Sequence, residues 1–275
     1  MPYLERQGAD LFYECSGAGN PPLVFVHGFC CTHHDWQYQG EFFRSRHTVV
    51  TCDLRGHGAS DRTPEQCAIE TFGADVHALL TALALPPAVL IGHSMGCRVV
   101  LQTAYEAPDL TAGVVLVDGS RIAEGDPDTA EWTVRERMEA EGYPAMIQRL
   151  FRDMFFPDAD PALVERILTQ ALATPEEVGA LLFPRLCAWD ARHMGTVLSQ
   201  IRAPLLVIQS TYLNTDQVRM PLQAGQTTPW IDLVRRYHPT AQVEMINGVG
   251  HFPMLEAPDA VNRVIATFVD RLAHS

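Results

Sequence analysis

The sequence predicts an α/β fold: a mostly parallel central sheet flanked by helices, with one helical insertion. Three observations predict it. Short, continuous apolar runs alternate with helical patterns as far as residue 119, which is the signature of parallel strands covered on both faces. The alternation lapses from residue 120 to about 200, where only helical segments separated by Pro, Gly and Asp occur. It resumes at 201 and closes on an amphipathic helix. The 275 residues, 47% hydrophobic and 19% charged, suffice for a sizeable core. The expected organisation is a core of residues 1–119 and 201–275 carrying a helical cap, residues 120–200.

Each element has its own signal. "ADLFYECSG" alternates and stops at Gly17, as an early strand does. "PPLVFVHGF" holds a short apolar run, Leu23 to Val26, that ends at His27-Gly28. "HTVVTCDLRGHGAS" repeats the design, a strand over Thr48 to Cys52 followed by a polar, glycine-rich loop. Phe72, Val76, Leu79, Leu80 and Leu83 recur at three and four, which predicts a helix. "PAVLIGHSMG" is a strand, "MGCRVVLQTAYEAP" a helix that stops before Pro108, and "TAGVVLVDGS" a further buried strand. Beyond the helical stretch, "APLLVIQS" and "AQVEMING" restore strands, and "PDAVNRVIATFVDRLA" is the closing helix.

Composition excludes several classes. Net charge is −13, with no Lys/Arg cluster to offset it, so neither nucleic acid nor an anionic membrane surface is an expected partner. No apolar run reaches the ~18 residues of a membrane span. The first residues carry no basic start followed by an apolar stretch, so no signal peptide is read there. The seven cysteines lack metal-like spacing and read as reduced thiols of a cytoplasmic protein. A metal site at His33-His34-Asp35 is not expected.

The chemistry centres on "LIGHSMGCRVV". A strand that delivers Ser94 and turns at once into a helix needs unusual dihedrals, and side chains two positions away would collide, hence Gly92 and Gly96. The turn lifts the hydroxyl clear of the sheet, at the positive end of the next helix. A serine hydroxyl needs a base, and "NGVGHFPMLEAP" presents His251 between the last strand and the last helix. Among the competing histidines, His47, His77 and His238 read as surface residues, and His27 as a residue that hydrogen-bonds its own loop.

"FVHGF", "DLRGHGAS", "GHSMG" and "GVGHFPMLEAP", in this order and spacing, resemble the α/β-hydrolase superfamily in its capped, single-chain esterase-like branch. The resemblance covers nearly the whole chain. It implies an oxyanion hole made by the backbone N–H groups of Phe29 and Met95, a carboxylate that orients His251, and no cofactor or metal. The implied activity is hydrolysis of small to medium apolar carboxylic esters through an acyl-enzyme. The implied partner is thus a small-molecule ester, and a homodimer is compatible with the sequence. Lactone hydrolysis or carbon–carbon cleavage would use the same triad. For the latter, Arg98, Arg121 and Arg192 are the candidates to hold a substrate carboxylate. A ligand-binding protein without turnover is the alternative from another class. Serine at position 94 argues against chemistry that needs a carboxylate nucleophile.

The sequence departs from the family in one place. The usual acid position, after the strand that follows the cap, falls near Leu213. Two carboxylates compete instead: Asp216 in the polar loop that follows, and Asp118 at the end of "GVVLVDGS". Asp118 is favoured, because an unpaired carboxylate at a buried strand end would be costly. Asp53 and Arg55 read as braces beneath the site, and Cys30 to Trp36 as the lining of its acyl side. Trp132, Tyr143, Met146, Phe151, Phe155 and Phe156 are expected to pack the cap, and some of them to roof a pocket.

Overall fold

A computed structural model describes residues 2–223 and 225–272. In chain order the first half runs β1 (Tyr3–Arg6), β2 (Ala9–Ser16), β3 (Leu23–Val26), α1 (Gln37–Phe43), β4 (Val49–Cys52), α2 (Ile69–Ala82), β5 (Ala88–His93), α3 (Met95–Glu106) and β6 (Thr111–Val117). Four helices follow: α4 (Pro127–Glu141), α5 (Tyr143–Arg152), α6 (Pro161–Ala173) and α7 (Glu176–Gln200). The chain then returns through β7 (Leu205–Gln209), β8 (Thr211–Leu213), β9 (Arg219–Pro221), α8 (Pro229–Tyr237), β10 (Gln242–Met245), α9 (Pro253–Glu256) and α10 (Pro258–Leu272).

Eight strands form one sheet in the order β1-β2-β4-β3-β5-β6-β7-β10. It is parallel from β4 to β10, while β1 and β2 join antiparallel at one edge. The central strands β3 and β5 are buried at every residue, as strands covered on both faces must be. Strand order reverses between β3 and β5, so the loops at their carboxyl ends diverge and leave a crevice. The helical stretch between β6 and β7 holds no strand among the described residues. Among those residues, no helix is long and apolar enough to cross a membrane.

Five elements lie outside the sequence reading: β1, α1, the β8–β9 hairpin, α8 and α9. Each is short, and β8–β9 runs through what reads as a polar loop. His47 is buried, not at the surface, and its Nδ1 bonds the Pro21 carbonyl at 3.0 Å.

Candidate active site

β5 ends at His93 and α3 begins at Met95, which leaves Ser94 alone to make the turn, at φ 54° and ψ −113°. A non-glycine residue in that region costs on the order of 1–3 kcal/mol, so the surroundings must hold it. Ser94 N–H donates to the Val117 carbonyl of β6 at 3.0 Å, and the Ser94 carbonyl accepts from Cys97 N–H at 3.1 Å. The flanking glycines have a steric cause. A Cβ on Gly92 would overlap the backbone of Gly96 and Cys97, and one on Gly96 would overlap the carbonyls of Val26 and His27. The Ser94 turn is thereby packed against the end of β3.

His251 approaches from the loop between β10 and α9. Its backbone N–H donates to the Met154 carbonyl at 2.8 Å, and its carbonyl accepts from His93 Nε2–H at 2.7 Å. Glu256 receives the N–H groups of Gly250 and Phe252 on either side. The ring so held accepts from Ser94 Oγ–H at Nε2, 2.8 Å away, and donates Nδ1–H to Asp118 Oδ2 at 2.6 Å. The structure therefore brings Ser94, His251 and Asp118 into one hydrogen-bonded line. Asp216 is exposed, in the turn of the β8–β9 hairpin.

Asp118 is fully buried, at φ 44° beyond the end of β6. Its Oδ1 accepts the backbone N–H groups of Ser210 and Thr211, each at 2.8 Å, and its Oδ2 accepts the Thr211 hydroxyl besides His251. Arg219 Nη1 also reaches Oδ2, at 3.2 Å. Burial alone would raise this carboxyl's pKa, but the hydrogen bond and charge of His251, with Arg219 and Thr211, outweigh it and hold the pKa at about 2. Burial, seconded by the charge of Arg219, pulls His251 down to about 4 against the opposing pull of Asp118. At neutral pH the pair is thus a carboxylate and a neutral imidazole whose Nε2 is free to take a proton.

Phe29 follows Gly28, and a Cβ on Gly28 would lie 3.3 Å from that of Ser94, so the β3 loop runs close over Ser94. Among the described residues, neither Phe29 N–H nor Met95 N–H has a hydrogen-bond partner. His27 braces this loop: its Nε2 accepts Leu54 N–H at 3.0 Å and its Nδ1–H donates to the Gly28 carbonyl at 2.7 Å. Phe29, Ser94 and Met95 line a cavity of about 440 Å³ that α4, α5 and α7 complete with Val134, Met146, Leu150, Phe183 and Leu186. Its wall is largely apolar. A wider depression of about 800 Å³, between Tyr38 and Arg166, touches neither Ser94 nor His251.

Several sequence-based roles change place. Of the stretch from Phe29 to Trp36, only Phe29 lines the cavity; Cys30, Cys31 and Trp36 are core residues. His33 donates to Asp53, and Asp35 is buried against Gln170 and Arg166. Among the described residues, no three His, Cys, Asp or Glu side chains converge as they would around a metal ion. Asp53 and Arg55 do brace loops: Arg55 pairs with buried Asp75 and donates to the Arg6 carbonyl. Of Trp132, Tyr143, Met146, Phe151, Phe155 and Phe156, Met146 lines the cavity, Tyr143 and Phe151 are buried, Phe155 stacks on Phe252, Phe156 lines the wider depression, and Trp132 is exposed. Arg98, Arg121 and Arg192 are paired with Asp190, Glu124 and Asp128. Thr211 and Arg219, which hold Asp118, went unread; nothing in a linear polar loop signals that it folds back on a strand 100 residues earlier.

Comparison with known proteins bears on the family and the fold. A putative non-heme chloroperoxidase of Synechocystis sp. is 29% identical over 296 residues, spanning 98% of this chain and 100% of that protein. The 3-oxoadipate enol-lactonase 1 of Acinetobacter baylyi is 28% identical over 273 residues, spanning 96% and 94%. A solved hydrolase from Pseudomonas aeruginosa PA01 superposes with a TM-score of 0.79 at 26% identity, covering 98% of this chain and 97% of that one. The profile described as "Alpha/beta hydrolase family" matches residues 23–264, from the first parallel strand into the closing helix. The chain therefore belongs to the alpha/beta hydrolase family.

Proposed function

We propose that this protein hydrolyses carboxylic esters through a covalent acyl-enzyme, with Ser94 as nucleophile, His251 as base and Asp118 as the group that orients it. The observation that carries this reading is the continuous line from Ser94 Oγ through His251 to Asp118, at 2.8 and 2.6 Å. Ser94 Oγ attacks the ester carbonyl carbon while its proton passes to His251 Nε2. The carbonyl oxygen, now an oxyanion, takes the N–H groups of Phe29 and Met95; one such donor is typically worth about 100- to 1000-fold in rate. His251 returns the proton to the leaving alcohol as the carbon–oxygen bond breaks. Water, deprotonated by His251, then attacks the acyl carbon, and Ser94 leaves with the proton. Asp118 fixes the Nδ1–H tautomer and stabilises the imidazolium formed in each half.

Residues 120–200 act as a cap in this reading, since α4, α5 and α7 supply most of the cavity wall over Ser94. A cavity of about 440 Å³ with apolar walls suits small to medium apolar acyl or alcohol groups. Lactones, which are internal esters, are the second substrate set; a relative named an enol-lactonase supports including them. Carbon–carbon cleavage has less support, because the three arginines considered for a substrate carboxylate are all in ion pairs.

The test is labelling of the intact protein by a fluorophosphonate, followed by mapping of the adduct. The adduct is expected on Ser94 and absent in Ser94→Ala. A protein that does not label, or a Ser94→Ala variant that labels equally well, would remove the nucleophile. A panel of esters and lactones then ranks the substrates.

A further inference from the structure

Arg219 is out of keeping with its surroundings. It stands on β9 with its side chain only 9% exposed, at the wall of the cavity that holds Ser94. Taking a guanidinium out of water costs several kcal/mol and needs an offsetting partner. The partner is Asp118, at 3.2 Å, with the Thr211 hydroxyl accepting from the same Nη1 at 2.6 Å. Yet Asp118 does not need this hydrogen bond. A carboxylate offers about four acceptor sites. The N–H groups of Ser210 and Thr211 take Oδ1, and the Thr211 hydroxyl and His251 Nδ1–H take Oδ2. What Arg219 adds is charge, on the same oxygen that receives the imidazole.

We propose that Arg219 is a positioning residue of the triad: from the β8–β9 hairpin it clamps Asp118, and its charge keeps His251 neutral as the pH falls. The inference rests on the triad reading given above. A carboxylate beside an imidazole draws a proton onto the ring, and a cation on that carboxylate opposes the draw. Among the other charged or titratable groups near His251, Arg98, on α3, acts in the same direction but more weakly, since it is paired with Asp190 at 2.6 Å. His93, at the end of β5, lies with its ring centroid 4.7 Å from that of His251, and burial holds it far below its ordinary pKa and so uncharged. Glu256, on α9, is turned to the N–H groups of Gly250 and Phe252. The hairpin also fills the place where the family's usual acid would stand, so Asp118, on the neighbouring strand, is held from the side by donors that hairpin supplies.

The experiment is a proton NMR titration of the His251 ring in the full chain, with the resonance assigned by its loss in His251→Asn. Wild type, Arg219→Gln and Arg219→Lys are compared, with the pH dependence of fluorophosphonate labelling measured in parallel. The wild-type midpoint is expected near 4. Arg219→Gln should raise it by about one pH unit or more, and Arg219→Lys, which keeps the charge, should hold it within about 0.3 unit. A midpoint unmoved in Arg219→Gln overturns the proposal, and so does one that rises as far in Arg219→Lys. Should Arg219→Gln fail to fold, Arg219→Met, which keeps the aliphatic stem and removes the charge, is read by the same limits. A structural role alone would lower stability and leave the midpoint in place. Failure of Ser94 to label, with the His251 midpoint still set by residue 219, would remove the hydrolase reading and leave the charge effect standing.

Discussion

Asp118 differs from Asp216 in what it touches. Asp118 receives His251 Nδ1–H, and Asp216 sits exposed in a turn, its own backbone N–H donating to the Asn214 side chain at 2.9 Å. Asp118→Asn keeps the shape but offers an amide that has to choose between its oxygen and its N–H toward the ring. If the N–H faces Nδ1, the ring carries its proton on Nε2 and has no lone pair for Ser94. Loss of about 10⁴-fold in kcat is the size expected of that change in a serine triad. Asp216→Asn should stay within about twofold, since an exposed turn carboxylate contributes little. Steady-state kinetics on a p-nitrophenyl ester checks both; a large loss in Asp216→Asn with Asp118→Asn active would move the acid to the hairpin. The two carboxylates also mark the limit of what single residues disclose. Ser94 and His251 are legible because their local sequences impose a turn: glycines two positions either side of one, glycine and phenylalanine flanking the other. Asp118 is legible only as a buried strand end that needs a partner. Arg219 is not legible at all, because its role depends on a hairpin whose two strands are three residues each.

Elements are joined to the helical insertion by one buried ion pair. Arg98 lies one turn into α3, the helix that carries Ser94, and Asp190 lies in the middle of α7. Arg98 Nε and Nη2 donate to the two Asp190 oxygens at 2.7 and 2.6 Å, and both side chains are almost fully buried. The same Asp190 oxygen accepts Ile122 N–H at 2.7 Å, and Arg98 also donates to the Ser94 and Ser120 carbonyls. One pair therefore fixes α3, the start of the helical stretch after β6 and its longest helix. Asp190→Ala leaves the guanidinium buried and uncompensated, and should cost about 3–5 kcal/mol. The double variant Arg98→Met with Asp190→Leu removes both charges and should recover most of that. Urea unfolding of the three proteins measures it; a double variant as unstable as the single one would mean the pair's hydrogen bonds to the backbone, not its charge balance, hold the elements. The continuous apolar runs of β3, β5 and β6 are readable because burial on both faces demands them. The β8–β9 hairpin and α8 are not, since short partly exposed elements carry no comparable pattern. The Arg98–Asp190 pair escapes any reading by spacing, because its members lie 92 positions apart.

Across the molecule as a whole, stability is tied to pH by histidines buried as neutral rings. Burial, the largest cause in each, lowers the pKa of His27 and His93, brings His57 to about 3 and brings His251 to about 4. In the unfolded chain these rings titrate near 6.5. Below that pH, and down to the native values, the unfolded state binds protons that the native state refuses, so stability falls as pH falls through the window. His33 acts with the opposite sign. Its burial is outweighed by Asp53, its pKa is raised, and its contribution is present in acid and lost as pH rises through the native value. Asp35, Asp75 and Glu256, raised by burial, likewise take protons earlier in the native state. Because these contributions oppose one another, a single ring is the clearer measurement. His57 donates Nδ1–H to the Arg55 carbonyl at 2.9 Å and accepts Cys30 N–H at 3.3 Å, so it packs the β3 loop against the β4 loop without touching Ser94. His57→Asn should be less stable than wild type at pH 7, having lost one of those bonds. It should also lose less stability on acidification. A ring that stays neutral in the native state costs about 1.4 kcal/mol per pH unit below 6.5, hence about 2 kcal/mol between pH 6.5 and 5. Urea midpoints at pH 7, 6 and 5 test this: the two stability curves should converge toward acid. Parallel curves would mean that His57 takes up its proton at the same pH in the native as in the unfolded chain, and that its burial does not lower its pKa.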